Sequence, residues 1–279
     1  MAGWAECGVC MSGLKMLTRP ALNATWKSSA VNGVCRAMNV MRWVPDELRN
    51  TLASIMAVSV MTLCTYGLGA YAQERIELED GSQLTVFLVE PAATTDRLSP
   101  LVILMGGGPG NLSISRDTSQ WLGSEFARRG WLVAVPVSPN NRAFRGYENN
   151  QKILMLIDQL QQRVDVAPGK ALLAGISNGG MSALEIARRN PERFLGVAAV
   201  PALSTSAFDN KALAGFPVYL RIGGEDQLGW AERFDETVAA LEEAGVDLDA
   251  AILDSAPHMF RMNWESLDAW LAKIRVETE

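Results

Sequence analysis

Histidine and cysteine are scarce in this chain. Its 279 residues include one histidine and four cysteines. All four cysteines precede residue 73, whereas the histidine, His258, lies near the C-terminus. A zinc or iron–sulfur site is therefore not expected, because such sites need several of these ligands close together. The formal net charge of −6 gives no electrostatic reason to expect nucleic acid as a partner. We expect neither a metal nor a cofactor.

Charge is absent from a long segment near the N-terminus, residues 51–72. Such a segment is typical of an export signal or a membrane anchor. The small residues Ala70 and Ala72 favour cleavage before Gln73, whereas the length also suits a membrane span of about 20 residues. We expect residues 1–50 to be a leader or a mis-called N-terminus. The protein is then periplasmic or secreted, with residues 51–72 as its membrane tether if they are not removed.

Apolar segments of strand length alternate with amphipathic segments of helix length in residues 73–279. A hairpin of residues 74–79 and 84–90, joined at Asp80-Gly81, is predicted to come first. The later predicted strands are residues 101–105, 131–137, 170–176, 194–200, 218–222 and 248–253. The predicted helices are residues 117–129, 148–163, 178–190, 230–244 and 263–274. This alternation predicts an α/β fold with a doubly wound, mostly parallel sheet of about eight strands and no cap domain.

A G-x-S-x-G motif follows the predicted strand at residues 170–176. It reads Gly175-Ile176-Ser177-Asn178-Gly179 and leads directly into a predicted helix. A serine in such a tight strand–turn–helix elbow is exposed at the helix N-terminus, where developing negative charge is favoured. We therefore predict Ser177 to be a nucleophile, the alternative being a structural glycine turn.

A serine nucleophile needs a base, which is usually a histidine oriented by a carboxylate. His258 is the only histidine, and it follows the last predicted strand. Asp226, in the turn after the strand at residues 218–222, best fits the position of the acid, with Glu225 and Asp254 as rivals. Either carboxylate of the turn could instead cap the helix that is predicted to begin near Trp230.

The tetrahedral intermediate of acyl transfer also needs hydrogen-bond donors for its oxyanion. The backbone N–H of Asn178 is one candidate. The glycine run after the strand at residues 101–105 offers Gly107 as the other, because Pro109 has no N–H to donate. The run could instead cradle a pyrophosphate, but it lacks the G-x-G-x-x-G spacing.

Together these motifs resemble the α/β-hydrolase superfamily over residues 76–275. The sequences GISNGG, MGGGPGN, GGEDQ and APHMF are similar to those of small esterases in the dienelactone hydrolase and phospholipase/carboxylesterase branches. The resemblance implies a serine hydrolase of the carboxylesterase type, with residues 73–279 as its catalytic domain. Dienelactone hydrolases typically use a cysteine nucleophile, so Ser177 points away from that activity.

The expected substrate is a small-molecule acyl ester or thioester. Trp230, Met181 and Met259 lie near the motifs and could line an acyl pocket, although ordinary packing explains such residues equally well. Arg142 and Arg145 could meet a substrate carboxylate or be solvated loop charges. Two alternatives stay open: a serine peptidase resembling the prolyl oligopeptidase catalytic domain, and a catalytically silent binding protein of the same fold. The oligomeric state is not predicted.

Overall fold

A computed structural model describes residues 71–91 and 98–276, and these residues form a sheet of eight strands. The strands are β1 (Tyr71–Glu77), β2 (Gln83–Val89), β3 (Leu101–Met105), β4 (Leu132–Pro136), β5 (Ala171–Gly175), β6 (Phe194–Ala199), β7 (Pro217–Gly223) and β8 (Asp247–Leu253). Their order in the sheet is β1-β2-β4-β3-β5-β6-β7-β8. The β1–β2 and β2–β4 pairs are antiparallel and every other pair is parallel. The predicted α/β sheet with an N-terminal hairpin at one edge is therefore confirmed.

Helices connect the parallel strands. The α-helices of the described residues are α1 (Leu112–Thr118), α2 (Ser124–Arg128), α3 (Tyr147–Leu160), α4 (Asn178–Arg189), α5 (Phe234–Glu242) and α6 (Trp264–Val276). A π-helical turn, Ser119–Gly123, joins α1 to α2. Short 3₁₀ turns lie at Pro191–Arg193, Asn210–Leu213 and Ala231–Arg233.

The first helical segment begins earlier than the predicted residues 117–129. It starts at Leu112, because the Asn111 side chain accepts a hydrogen bond of 3.1 Å from the backbone N–H of Ile114. Asparagine is a strong helix N-cap, since its side-chain oxygen satisfies a backbone donor that has no partner within the helix. The helix therefore begins close to the glycine run that precedes it.

Two apolar layers cover the two faces of the sheet. Alternate residues of β3 divide between them: Ile103 packs in the layer of α3, α4 and α5, and Leu104 packs in the layer of α2 and α6. Both residues are fully buried. This arrangement explains why the central strands are apolar throughout, since successive side chains point to opposite faces and both faces are covered.

The N-terminal predictions fall largely outside the described residues. Residues 1–70 are not among them, so the leader and most of the uncharged segment 51–72 stay predictions. Tyr71 and Ala72 lie in β1, where Ala72 pairs with Leu88. The predicted cleavage point after Ala72 therefore falls within that strand. In residues 71–91 and 98–276, no helix has the length and apolarity that crossing a bilayer requires.

Candidate active site

Ser177 sits in a strained turn between β5 and α4, and at 8% exposure it is buried, not exposed as the motif predicts. Its backbone has φ 56° and ψ −120°, which a residue with a side chain rarely adopts. The Ser177 N–H donates a hydrogen bond of 2.8 Å to the Pro201 carbonyl, which ties the turn to the chain beyond β6. Strain of this kind costs about 1–3 kcal/mol and persists where the surroundings enforce it, commonly at functional sites.

The glycines of the motif allow backbone segments to approach each other closely. A Cβ atom added to Gly175 would lie 2.3 Å from the Gly179 carbonyl oxygen, and one added to Gly179 would lie 2.2 Å from the Met105 carbonyl oxygen. Real Cβ atoms essentially never come this close to another heavy atom. The start of α4 is therefore pressed against both its own strand and the end of β3.

His258 and Asp226 are in direct contact. His258 Nδ1 lies 2.6 Å from Asp226 Oδ2, and both residues are more than 90% buried. The other oxygen, Oδ1, accepts a 2.7 Å hydrogen bond from the backbone N–H of Leu228. Both carboxylate oxygens are thus engaged, which fixes the orientation of the carboxylate towards the imidazole.

The rival acids do not make this contact. Glu225 is exposed, and its backbone N–H donates to the Ala256 carbonyl. Asp254 is exposed as well. Asp226 is therefore the carboxylate that the fold places against His258.

Two further contacts hold His258. Its backbone N–H donates a 3.2 Å hydrogen bond to Gln227 Oε1. The Trp230 ring meets the imidazole edge to face, with 4.8 Å between ring centroids and 86° between ring planes. Gln227 was not predicted from the sequence, because its only signal there is its position next to Asp226.

The glycine run after β3 lies against the serine elbow. A Cβ atom added to Gly107 would lie 3.4 Å from Ser177 Cβ. The Asn178 side chain donates a 3.0 Å hydrogen bond from Nδ2 to the Gly108 carbonyl. The two residues predicted to hold an oxyanion, Gly107 and Asn178, therefore lie beside Ser177.

The three site residues follow strands of the same parallel part of the sheet. Ser177 follows β5, Asp226 follows β7 and His258 follows β8, and the parallel order β5-β6-β7-β8 puts all three beyond the same edge of the sheet. This is the edge at which ligands bind in doubly wound sheets.

The residues predicted to contact substrate have different surroundings. Met259 is 52% exposed, as is expected of a side chain at an open surface. Met181 is partly buried, and its sulfur lies 3.7 Å from Arg145 Nη1. Trp230 packs against His258 as well as against the core.

The predicted loop arginines also differ. Arg145 pairs with Glu185 at 3.1 Å, whereas Arg142 is exposed. The Arg145 charge is thus partly neutralised within the protein.

Sequence comparison places the chain in a family. The Esterase family model, described as "Putative esterase", matches residues 116–275, which is more than half of the chain. The chain belongs to this esterase family of α/β-hydrolases. The matched segment contains Ser177, Asp226 and His258. Among curated proteins, none matches the chain.

Solved structures show the same fold for this esterase-family chain. Fluorophosphonate-binding serine hydrolase F of Staphylococcus aureus gives a TM-score of 0.59 at 15% identity, over 75% of this chain and 99% of that one. A thermostable esterase gives 0.51 at 13% identity, over 66% and 55%. Dipeptidyl peptidase 4 of Porphyromonas gingivalis gives 0.57 at 16% identity, over 77% and 36%. The chain thus spans about half the length of that esterase and about a third of that peptidase.

The contact between Trp230 and His258 leads to a testable prediction. Trp230→Ala should lower kcat for an ester substrate by about tenfold, because edge-to-face aromatic pairs contribute about 0.5–1.5 kcal/mol to the placing of a ring. Trp230→Phe, which keeps an aromatic face, should lose less than half of kcat. Steady-state kinetics of the two variants provide the check. Equal kcat in Trp230→Ala and wild type, with only KM raised, would instead make Trp230 a substrate contact.

Proposed function

We propose that the protein is a serine hydrolase that cleaves carboxylic ester or thioester bonds. The observation that carries the proposal is the 2.6 Å contact between His258 Nδ1 and Asp226 Oδ2. This contact lies at the same sheet edge as Ser177, whose strained turn opens α4. A nucleophile, a base and an orienting acid in this chain order match the serine hydrolase pattern.

Acyl transfer begins at the Ser177 hydroxyl in this proposal. Asp226 accepts a hydrogen bond from the Nδ1–H of His258, and this fixes the tautomer in which Nε2 is unprotonated and can take the Ser177 proton as Oγ attacks the ester carbonyl. In the described residues no hydrogen bond joins the Ser177 hydroxyl to His258; the proposed mechanism requires one, and catalytic hydrogen bonds often tighten only with the substrate bound. The bond from the carbonyl carbon to the leaving group then breaks. This is a C–O bond in an ester and a C–S bond in a thioester, and the departing alcohol or thiol takes the proton from His258.

The oxyanion forms between two backbone donors in the proposed mechanism. Gly107 N–H and Asn178 N–H hold the negative oxygen beside the N-terminus of α4, whose positive end favours it. Water, deprotonated by His258, then attacks the acyl group on Ser177 and releases the carboxylic acid. No cofactor takes part in these steps.

The surroundings of the His258–Asp226 pair favour an open, partly apolar site. Leu228 is 62% exposed and Met259 is 52% exposed, and both lie within two residues of the pair. An apolar acyl group would meet these side chains at the surface, whereas Ser177 itself is only 8% exposed. Met181, Met259 and Trp230 remain the proposed substrate contacts. Export or membrane tethering through residues 51–72 is proposed on the sequence pattern alone.

The proposal is tested on the full-length protein with p-nitrophenyl esters of graded chain length, acyl thioesters and matched anilides. We expect ester and thioester turnover, and labelling of Ser177 by a fluorophosphonate, identified by peptide mass spectrometry. Ser177→Ala should abolish both the labelling and the turnover. Faster anilide than ester turnover would favour a peptidase, and a folded wild type that neither turns over nor labels would favour a silent binding protein.

A further inference from the structure

We infer that the Asn178 side chain positions the oxyanion loop, defined here as residues 106–110, in addition to the role proposed for its backbone. The inference rests on the proposed function. Its basis is the 3.0 Å hydrogen bond from Asn178 Nδ2 to the Gly108 carbonyl. In the proposed mechanism Asn178 thereby supplies one oxyanion donor, its backbone N–H, while its side chain holds the loop that supplies the second donor, the Gly107 N–H.

The oxyanion loop needs contacts from outside the loop to fix its conformation, because its first part is Gly106-Gly107-Gly108. Glycine loses more backbone freedom on ordering than any other residue, so a free glycine run populates many conformations. Gly108 has φ +53°, in the left-handed region. A donor such as Gly107 N–H stabilises the transition state only if it already points to the place where the charge develops.

The far end of the oxyanion loop is anchored by other contacts. The Gly110 carbonyl accepts from the Ser138 N–H at 2.8 Å, and the Pro109 carbonyl accepts from the Ala143 N–H at 3.3 Å. These bonds hold the loop to the segment after β4, away from the serine. Within the loop, the Gly110 N–H donates a 3.0 Å hydrogen bond to the Gly107 carbonyl, but none of these three bonds joins the glycines to the elbow that carries Ser177.

The near end of the loop is held by Asn178. Within the described part of the chain, its amide is the only side chain that hydrogen-bonds a carbonyl of Gly106, Gly107 or Gly108. Gly107 lies against the elbow, where an added Cβ atom would be 3.2 Å from the Ile176 carbonyl oxygen. Packing limits how closely the loop approaches the elbow, whereas the amide also fixes the peptide that carries the Gly108 carbonyl and ties it to the elbow.

The test uses Asn178→Ala and Asn178→Asp, both of which keep the backbone N–H. Alanine removes the tether. Aspartate keeps the shape but replaces the donor by a carboxylate that repels the Gly108 carbonyl, while an acidic residue in the first turn of α4 suits the helix dipole. Any loss of activity in Asn178→Asp therefore cannot be assigned to a weakened helix.

Three quantities are measured on the full-length protein: kcat and KM for a p-nitrophenyl ester, the inhibition constant of a trifluoromethyl ketone, and the melting temperature. We expect kcat to fall about tenfold in Asn178→Ala and further in Asn178→Asp, with KM within about twofold. The ketone forms an oxyanion on Ser177, so its inhibition constant should rise by the same factor as kcat falls. The melting temperature of Asn178→Asp should not fall.

Asn111→Ala is the matched control, because it removes an asparagine hydrogen bond at the exit of the same loop without touching the tether. It should lower the melting temperature and leave kcat within about twofold. Wild-type kcat and ketone affinity in both Asn178 variants would overturn the inference and leave the proposed function intact. A change in KM alone would overturn it too, because Asn178 would then be a substrate contact. A wild type without ester turnover or ketone binding would refute the proposed function, and the inference with it.

Discussion

His258→Ala should reduce kcat/KM for an ester substrate by about 10⁴-fold or more. His258 is the only histidine in the chain, so no second imidazole can take the Ser177 proton. Fluorophosphonate labelling should slow as well, because that reaction also needs the activated hydroxyl. Kinetics and labelling rates of the purified variant provide the measurement. More than a tenth of wild-type activity in folded His258→Ala would contradict the proposed role.

Two carboxylates near His258 extend this prediction: Asp226→Asn should lose activity as well, and Asp254→Asn is the matched control. Asp226→Asn keeps the shape of the side chain but favours the wrong imidazole tautomer, so it should lose activity by a factor approaching that of His258→Ala. Asp254→Asn removes an exposed carboxylate in the neighbouring turn after β8. It should leave kcat/KM within about twofold, since surface substitutions away from special features have small effects.

Gly179→Ala should destabilise the protein by at least about 3 kcal/mol. The added Cβ atom would lie 2.2 Å from the Met105 carbonyl oxygen and 2.6 Å from the Gly106 carbonyl oxygen. Both are backbone atoms, so neither can move aside as a flexible side chain would. Relief of the clash must separate α4 from the end of β3, which also displaces the oxyanion loop from Ser177. Urea denaturation measures the change in the free energy of unfolding.

Gly130→Ala distinguishes the clash from backbone strain. Gly130 has φ +82°, but nothing lies within 4 Å of an added Cβ atom. Its substitution should cost only about 1–2 kcal/mol, the strain of the left-handed conformation. Soluble yield after matched expression gives a second readout if Gly179→Ala does not fold. Equal free energies of unfolding in the two variants would show that the close approach at Gly179 carries no special cost.

The order of strands and helices could be predicted because each central strand is apolar and short. Strand β3 begins and ends where the sequence predicts, and the other strand boundaries differ by only a few residues. The start of α1 differs more, at Leu112 instead of residue 117. Asn111 caps the helix there, and the segment between lacks the apolar periodicity by which a helix start is recognised.

Some residues of the candidate site could likewise be predicted from the sequence, and others could not. Ser177 was predictable because its motif lies between a strand and a helix, and His258 because there is no other histidine. The choice between Asp226 and Glu225 needed the fold, because adjacent residues in a turn point in different directions. Gln227 and the Asn178 amide were not predictable as positioning groups, since their partners lie 31 and 70 residues away along the chain.

The sequence by itself therefore determined the fold class, the candidate nucleophile and the candidate base. Those features depend on local patterns: the alternation of apolar segments, a glycine-flanked serine and a single imidazole. Only the tertiary structure decided which carboxylate meets His258, that Trp230 packs against the imidazole, and that Asn178 reaches Gly108. The physical reason is that the order of parallel strands brings together turns that are distant in the chain, and the contacts between their side chains exist only once the sheet has formed.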